Sequence, residues 1–178
     1  MSVIEHKKEA PKQVNCKIIT VSDTRTKETD KSGKLIRKFL ENQGHVIKDY
    51  EIVRDEKQAI NEAIQKGILS PEVDAILLNG GTGIADRDVT IETVKELLDK
   101  EIVGFGELFR MLSYTEDIGA AAMLSRAIAG VSKHTAVFAM PGSSGAVKLA
   151  MNKLISSELA HVIREIRKDL KKETANGQ

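Results

Sequence analysis

Short apolar runs alternate with apolar positions spaced three and four apart along nearly the whole chain, the pattern of strands and amphipathic helices taking turns. Residues 17–21 (KIITV), 46–53, 73–78 and 135–140 read as strands, the first of the kind buried on both faces of a parallel sheet. Leu35, Ile36, Phe39 and Leu40 share one helical face; so do Ile60, Ala63 and Ile64, and then Ile91, Val94 and Leu98. Asp30 stands where an N-cap belongs, Gly44 where the first helix closes, Gly67 where the second ends, and Thr90 where the third is capped. Phe105, Leu108, Phe109 and Leu112 repeat at helical spacing ahead of a stretch rich in small residues, 119–123. Strands at 126–129 and 135–140, joined through 130–134, put one antiparallel strand into the sheet. Val147, Ala150, Met151 and Leu154 mark the next helix; Leu159, Val162, Ile163, Ile166 and Leu170 mark the last. The predicted fold class is α/β: a three-layer α/β/α domain with a mostly parallel sheet plus one antiparallel strand.

Composition narrows the picture. A chain of 178 residues suits one domain, here 13–172, between a flexible N-terminal arm, 1–12, and a flexible tail, 173–178. Aromatic residues make up only 3% and tryptophan is absent, so Leu, Ile, Val and Ala must fill the core. A net charge of +1, with no basic patch interleaved with aromatics, argues against nucleic acid as a partner. The polar first residues have no apolar h-region, and no apolar run reaches the length of a membrane span; the expectation is a cytoplasmic protein. Cys16 is the single cysteine, which excludes an internal disulfide and a thiolate metal cluster; at the start of an apolar strand it reads as a buried, inert thiol. His6, His45, His134 and His161 are scattered without metal-ligand spacing and read as surface or turn residues.

The candidate chemistry lies in the segment Gly80-Gly81-Thr82-Gly83-Ile84-Ala85-Asp86-Arg87-Asp88, between a strand and a helix start. Glycines there allow positive φ and close approach of the backbone to a ligand, and the unpaired N–H groups of a helix start favour an anion. No Lys follows Gly83, so this is not a P-loop; Asp86 stands where the dinucleotide fingerprint needs its third glycine. Carboxylates at Asp86 and Asp88 would repel a phosphate unless a divalent cation stands between them.

Read as a whole, 79–92 (NGGTGIADRDVTIE) resembles the MoaB/MogA proteins of molybdenum cofactor biosynthesis, and within that family the B branch. Val21-Ser22-Asp23-Thr24, Thr29 to Gly33, Val53-Arg54-Asp55-Glu56, Gly104 to Ala127 and Met140-Pro141-Gly142-Ser143 agree with the family in order, over roughly 17–154. The resemblance implies a MogA-like sheet, a homo-oligomer (trimer or hexamer) and a reaction. ATP and molybdopterin give adenylyl-molybdopterin and pyrophosphate with Mg2+, the terminal phosphate of molybdopterin attacking the α-phosphate of ATP. It also implies a molybdenum-insertion protein of the pathway as a partner. By position, the resemblance assigns Asp55 and Asp88 to catalysis and Mg2+, with Asp86, a more variable position, ranked below them. It assigns Ser22, Asp23, Gly80, Gly81, Thr82, Gly83, Ser125, Pro141, Gly142 and Ser143 to substrate binding.

Plainer readings compete. Asp55 can cap a helix ahead of Glu56, and Asp88 can cap or pair with Arg87. At the level of function, the alternatives are a catalytically inactive pterin-binding or assembly protein of the same pathway, a nucleotide-binding oxidoreductase, and the related domain of longer molybdate-insertion or competence-damage-type proteins. The missing third glycine opposes the oxidoreductase, and the chain length opposes the last.

Overall fold

The computed structural model describes residues 7–170. Its strands are β1 (Asn15–Val21), β2 (Val46–Val53), β3 (Ala75–Asn79), β4 (Lys100–Glu101), β5 (Ile128–Ser132) and β6 (Thr135–Met140). They form one sheet in the order β2-β1-β3-β6-β5-β4. β1 pairs in parallel with β2 and β3, and β3 with β6, whereas β5 runs antiparallel to β6 and β4. The helices are α1 (Lys31–Asn42), α2 (Lys57–Leu69), α3 (Thr90–Leu97), α4 (Val103–Glu116), α5 (Ser144–Ala150) and α6 (Ser156–Arg167), with a 3-10 turn at Gly119–Leu124. The predicted three-layer sheet with one antiparallel strand is therefore the observed one.

The KIITV run is continuous because both faces of β1 are covered. Ile18 packs with α1, α4, α5 and α6 on one face, and Ile19 with α2 and α3 on the other. Each side chain is fully buried, a gain of about 1.5–3 kcal/mol apiece in transfer free energy. Lys17 lies on the α2 face with its side chain 1% exposed; Nζ is 3.1 Å from Asp49 on β2 and also contacts Glu51. These are charge contacts without aligned hydrogen bonds. Two carboxylates offset the desolvation of one ammonium, which alone would be strongly unfavourable there.

Several local expectations shift for identifiable reasons. α2 does not end at Gly67 but runs to Leu69. A Cβ at Gly67 would lie 2.7 Å from Ile76 Cδ1, so the glycine serves close helix–sheet packing rather than termination. β5 begins two residues later than expected and reaches a two-residue turn with Lys133 at φ +52. β4, two residues on the far edge, has too few positions to show a period. The last two helices are one continuous run, because a wide π turn at Met151–Ile155 joins α5 to α6. Asp30 is the expected N-cap of α1, its Oδ1 accepting from Gly33 N at 2.9 Å. Cys16 is buried as expected, and that burial pushes its thiol up to about 12. His45 is a buried acceptor for Val14 N at 3.2 Å rather than a surface residue, because its ring covers the start of the sheet.

Of the expected arm and tail, 1–6 and 171–178 lie outside the described residues, while Lys7 and Glu9 are ion-paired to Glu158 and Arg164 of α6. No helix among the described residues is long and apolar enough to cross a membrane.

Candidate functional site

From β1 the chain passes outward to β2, then crosses back to β3 on β1's other side, with α1 and α2 on opposite faces. That reversal is the switch point of an open α/β sheet, where loops splay apart and ligands bind. The register sets Val21 beside Val53, Thr20 beside Asn79, and Asn79 beside Met140, so the loops after β1, β2, β3 and β6 leave from one end of the sheet. The convergence expected from the sequence is thus realised.

The glycine loop is fixed by what surrounds it. Gly80 has φ +94, and a Cβ there would lie 2.2 Å from Val21 O; Gly81 has φ +64, and its Cβ would meet Thr90 Oγ1 at 2.4 Å. Only glycine permits this path along β1. Gly80 N donates to Met140 O at 3.1 Å, and Gly142 lies against it, its Cβ position 3.2 Å from Gly80 Cα. Thr90 does not cap α3: it is the first helical residue, and its hydroxyl donates back to Gly80 O at 2.9 Å, because the loop carbonyl is the nearer unmet acceptor.

Arg126, given no role by the sequence reading, holds the loop from the other side. Its Nε donates to Thr82 O at 3.0 Å, and its Nη2 to Gly83 O at 2.6 Å and Asp88 O at 3.2 Å, while Glu92 binds the same guanidinium. The hydrogen bond from Arg126 lowers the Glu92 carboxyl below the usual range. One planar fork satisfying three carbonyls is a task that lysine cannot perform.

The carboxylates form a second assembly. Asp23 N donates to Asp55 Oδ2 at 2.9 Å and Asp55 N to Asp23 Oδ1 at 3.2 Å, a reciprocal clasp between the β1 and β2 loops. Arg87, from the glycine loop, donates to Asp23 Oδ2 through Nε at 2.9 Å. Asp88 closes its own turn: Oδ2 accepts from Ala85 N at 2.9 Å, and Asp88 N donates to Ala85 O at the same distance. Asp55 therefore caps no helix, and Arg87 pairs with Asp23 rather than Asp88. The Arg87 hydrogen bond holds the exposed Asp23 carboxyl low. Burial, and then the charges of Asp23 and Asp88, push the half-buried Asp55 carboxyl up.

The other expected residues divide. Thr82 is buried in the loop, its carbonyl on Arg126. Gly142 meets Gly80, and its carbonyl accepts from Ser32 Oγ. Ser143 caps α5, accepting from Ala146 N at 3.2 Å. Ser22 Oγ orders its own loop by accepting from Thr24 N and Arg25 N, each at 3.2 Å. Ser125 follows the 3-10 turn and adjoins Arg126, and Pro141 leads from β6 into the Gly142 turn.

Among the described residues no group of three His, Cys, Asp or Glu side chains is placed to hold a metal by itself. The donors present nonetheless fit Mg2+ in the form it takes with nucleotides, one or two carboxylates with phosphate and water completing the shell. Asp55 and Asp88 each use Oδ2 within the protein, and Oδ1 of each carries no hydrogen bond among the described residues. Burial is the main cause of the raised Asp55 carboxyl, and the neighbouring charges of Asp23 and Asp88 add to it.

A sheet covered on both faces, with a glycine loop and clasped carboxylates gathered at its switch point, defines an open α/β domain of the three-layer class, and comparison gives it a family. Residues 17–161 match the family model for a probable molybdopterin binding domain, and the chain belongs to that family. The molybdenum cofactor biosynthesis protein B of Bacillus subtilis (strain 168) is 70% identical over 169 residues, covering 95% of this chain and 99% of the relative. A crystal structure of molybdenum cofactor biosynthesis protein B superposes with a TM-score of 0.87 at 61% identity, over 90% of this chain and 99% of that one. The tungsten cofactor synthesizing protein MoaB from Pyrococcus furiosus follows with a TM-score of 0.80 at 40% identity, over 89% and 99%. The function of this chain lies in molybdenum cofactor biosynthesis.

Proposed function

We propose that the site transfers an adenylyl group from ATP to molybdopterin. The observation that carries this reading is the Asp23–Asp55 clasp, set beside a glycine loop whose path only positive-φ glycines allow. A terminal phosphate oxygen of molybdopterin forms a bond to the α-phosphorus of ATP; the bond from that phosphorus to the bridging oxygen breaks, and pyrophosphate leaves with the electron pair. The nucleophile is ionised at neutral pH, so the chain needs no general base and no activated cysteine, in keeping with the inert Cys16 thiol. Its work is positioning and charge stabilisation. Gly80 to Gly83 supply backbone contacts to phosphate and pterin, with Ser22, Asp23, Ser125, Pro141, Gly142 and Ser143 around them. Asp55 and Asp88 would hold the Mg2+ that comes with ATP, which supplies neutralisation of phosphate charge. The adenylylated product would pass to a molybdenum-insertion protein in the cytoplasm.

The same reading includes self-assembly. Val103, Leu108, Met111 and Tyr114 of α4, then Ile118, Met123 and Leu124, are exposed apolar side chains along one stretch of chain. A patch of this kind marks an interface, here between copies of the chain in a trimer or hexamer.

The test is pyrophosphate release from MgATP, with and without molybdopterin, for the wild type and for Asp88→Asn. Pterin-dependent release, lost in the variant, is expected. No release from a wild type that binds molybdopterin overturns the enzyme reading in favour of a binding or assembly role.

A further inference from the structure

The carboxylate clasp has a basic recess on its outer side. The loop after β1 and the edge strand β2 enclose a depression of about 410 Å3, lined by Asp23, Arg25, Lys27, Tyr50, Glu51 and Arg54 among others. Its charges do not cancel. Asp23 is held by Arg87 and Glu51 by the buried Lys17, whereas Arg25, Lys27 and Arg54 form no ion pair among the described residues. The backbone that carries Arg25 and Lys27 is set by side-chain turns: Ser22 Oγ takes Thr24 N and Arg25 N at 3.2 Å each, and Thr29 Oγ1 takes Thr26 N at 2.9 Å. The Tyr50 hydroxyl is committed to the buried Asp30, which holds the ring in place on the β2 side of the recess. Glu28 acts on Lys27 and Asp23 on Arg54 through space, but neither forms an ion pair with them, and three cations gathered at one recess, two of them on a loop whose backbone is set, leave room for an anion from outside.

We infer that this recess is a polyphosphate subsite: it takes the anionic tail of the nucleotide, and then the pyrophosphate that leaves, while the glycine loop holds the phosphate at which bonds change. The inference rests on the adenylyl-transfer reading. Its chemical logic is that negative charge grows on the leaving group as the bridging bond breaks, and cations gathered beside it act most strongly at that moment. The terminal phosphate of molybdopterin shares the anionic chemistry, so the test must separate a monophosphate from a diphosphate.

The test is calorimetric titration of the full chain with inorganic pyrophosphate, inorganic phosphate and AMP, for the wild type and for the Arg25→Gln/Arg54→Gln variant. The wild type is expected to bind pyrophosphate in preference to phosphate, with affinity falling as salt is added. The variant is expected to lose about tenfold or more in pyrophosphate affinity, to keep its AMP affinity, and to unfold at the wild-type temperature. The inference is overturned by a wild type that does not bind pyrophosphate, by unchanged affinity in the variant, or by equal losses for AMP and pyrophosphate. Inorganic phosphate binding as tightly as pyrophosphate also overturns it and gives the recess to a monophosphate. Pyrophosphate binding that follows the expectation, in a protein that releases none from MgATP and molybdopterin, keeps the recess and sinks adenylyl transfer instead.

Discussion

Asp55 is the residue at which function and stability pull apart. Burial and the charges of Asp23 and Asp88 raise its carboxyl above the usual range. A carboxyl raised in the folded state contributes stability below its unfolded pKa, and that contribution is lost as pH rises through the folded value. At neutral pH the ionised group therefore works against the fold. Asp55→Asn keeps an oxygen for Asp23 N and removes the charge. It is expected to raise the thermal midpoint at pH 7 by about 1–3 °C while abolishing pyrophosphate release, and the gain should shrink toward pH 4. Scanning fluorimetry across pH checks this; a lower midpoint at pH 7 would show that the charge stabilises the fold. At this scale Asp86 and Asp88 stood out because carboxylates after a glycine loop form a pattern in the sequence, whereas Asp23 and Asp55 were marked by the ends of their strands and by the family resemblance. Arg126 was not, since its partners are mostly main-chain carbonyls, which have no sequence identity and impose no spacing.

Among the elements, the glycine loop depends most on its neighbours. It is tied to β1 by close approach, to α3 through Thr90, and to the start of β5 through Arg126. Arg126→Lys keeps the charge but cannot reach Thr82 O, Gly83 O and Asp88 O together, and a carbonyl left unmet costs about 1–3 kcal/mol. The expected result is faster amide exchange across 80–88 and weaker nucleotide binding, with a smaller change in the global midpoint. Unaltered exchange in that segment would argue against the clamp. Strands and helices with several turns of periodic apolar residues were readable in advance. β4 was not, because two residues carry no period, and Gly67 was misread because a glycine chosen for packing against Ile76 looks like one chosen to stop a helix. The capping role given to Thr90 failed because a threonine at a helix start can satisfy either the helix or the preceding loop.

Over the whole molecule, the apolar stripe of α4 is the feature that a single chain leaves unsatisfied. Phe105 and Phe109 turn inward, while Leu108, Met111 and Tyr114 face out, the last 61% exposed. Met111→Glu places a charge in the centre of that stripe. It is expected to shift the mass measured by light scattering from an oligomer to a monomer while the far-ultraviolet circular dichroism stays unchanged. An unchanged mass would remove α4 from the interface. The periodicity of 105–112 announced the helix, but which side of it stays open depended on the packing of α4 against β5 and α5, which no local pattern encodes.

Two phenols and no indole make up the near-ultraviolet chromophores of this chain besides phenylalanine, and they stand far from each other in role. Tyr50 lines the basic recess with its hydroxyl donating to Asp30. Tyr114 stands in the open on α4. The unlabelled protein consequently carries one phenol at each proposed surface: an anion taken up by the recess would alter the surroundings of Tyr50 alone, and a second copy closing over α4 would alter those of Tyr114 alone.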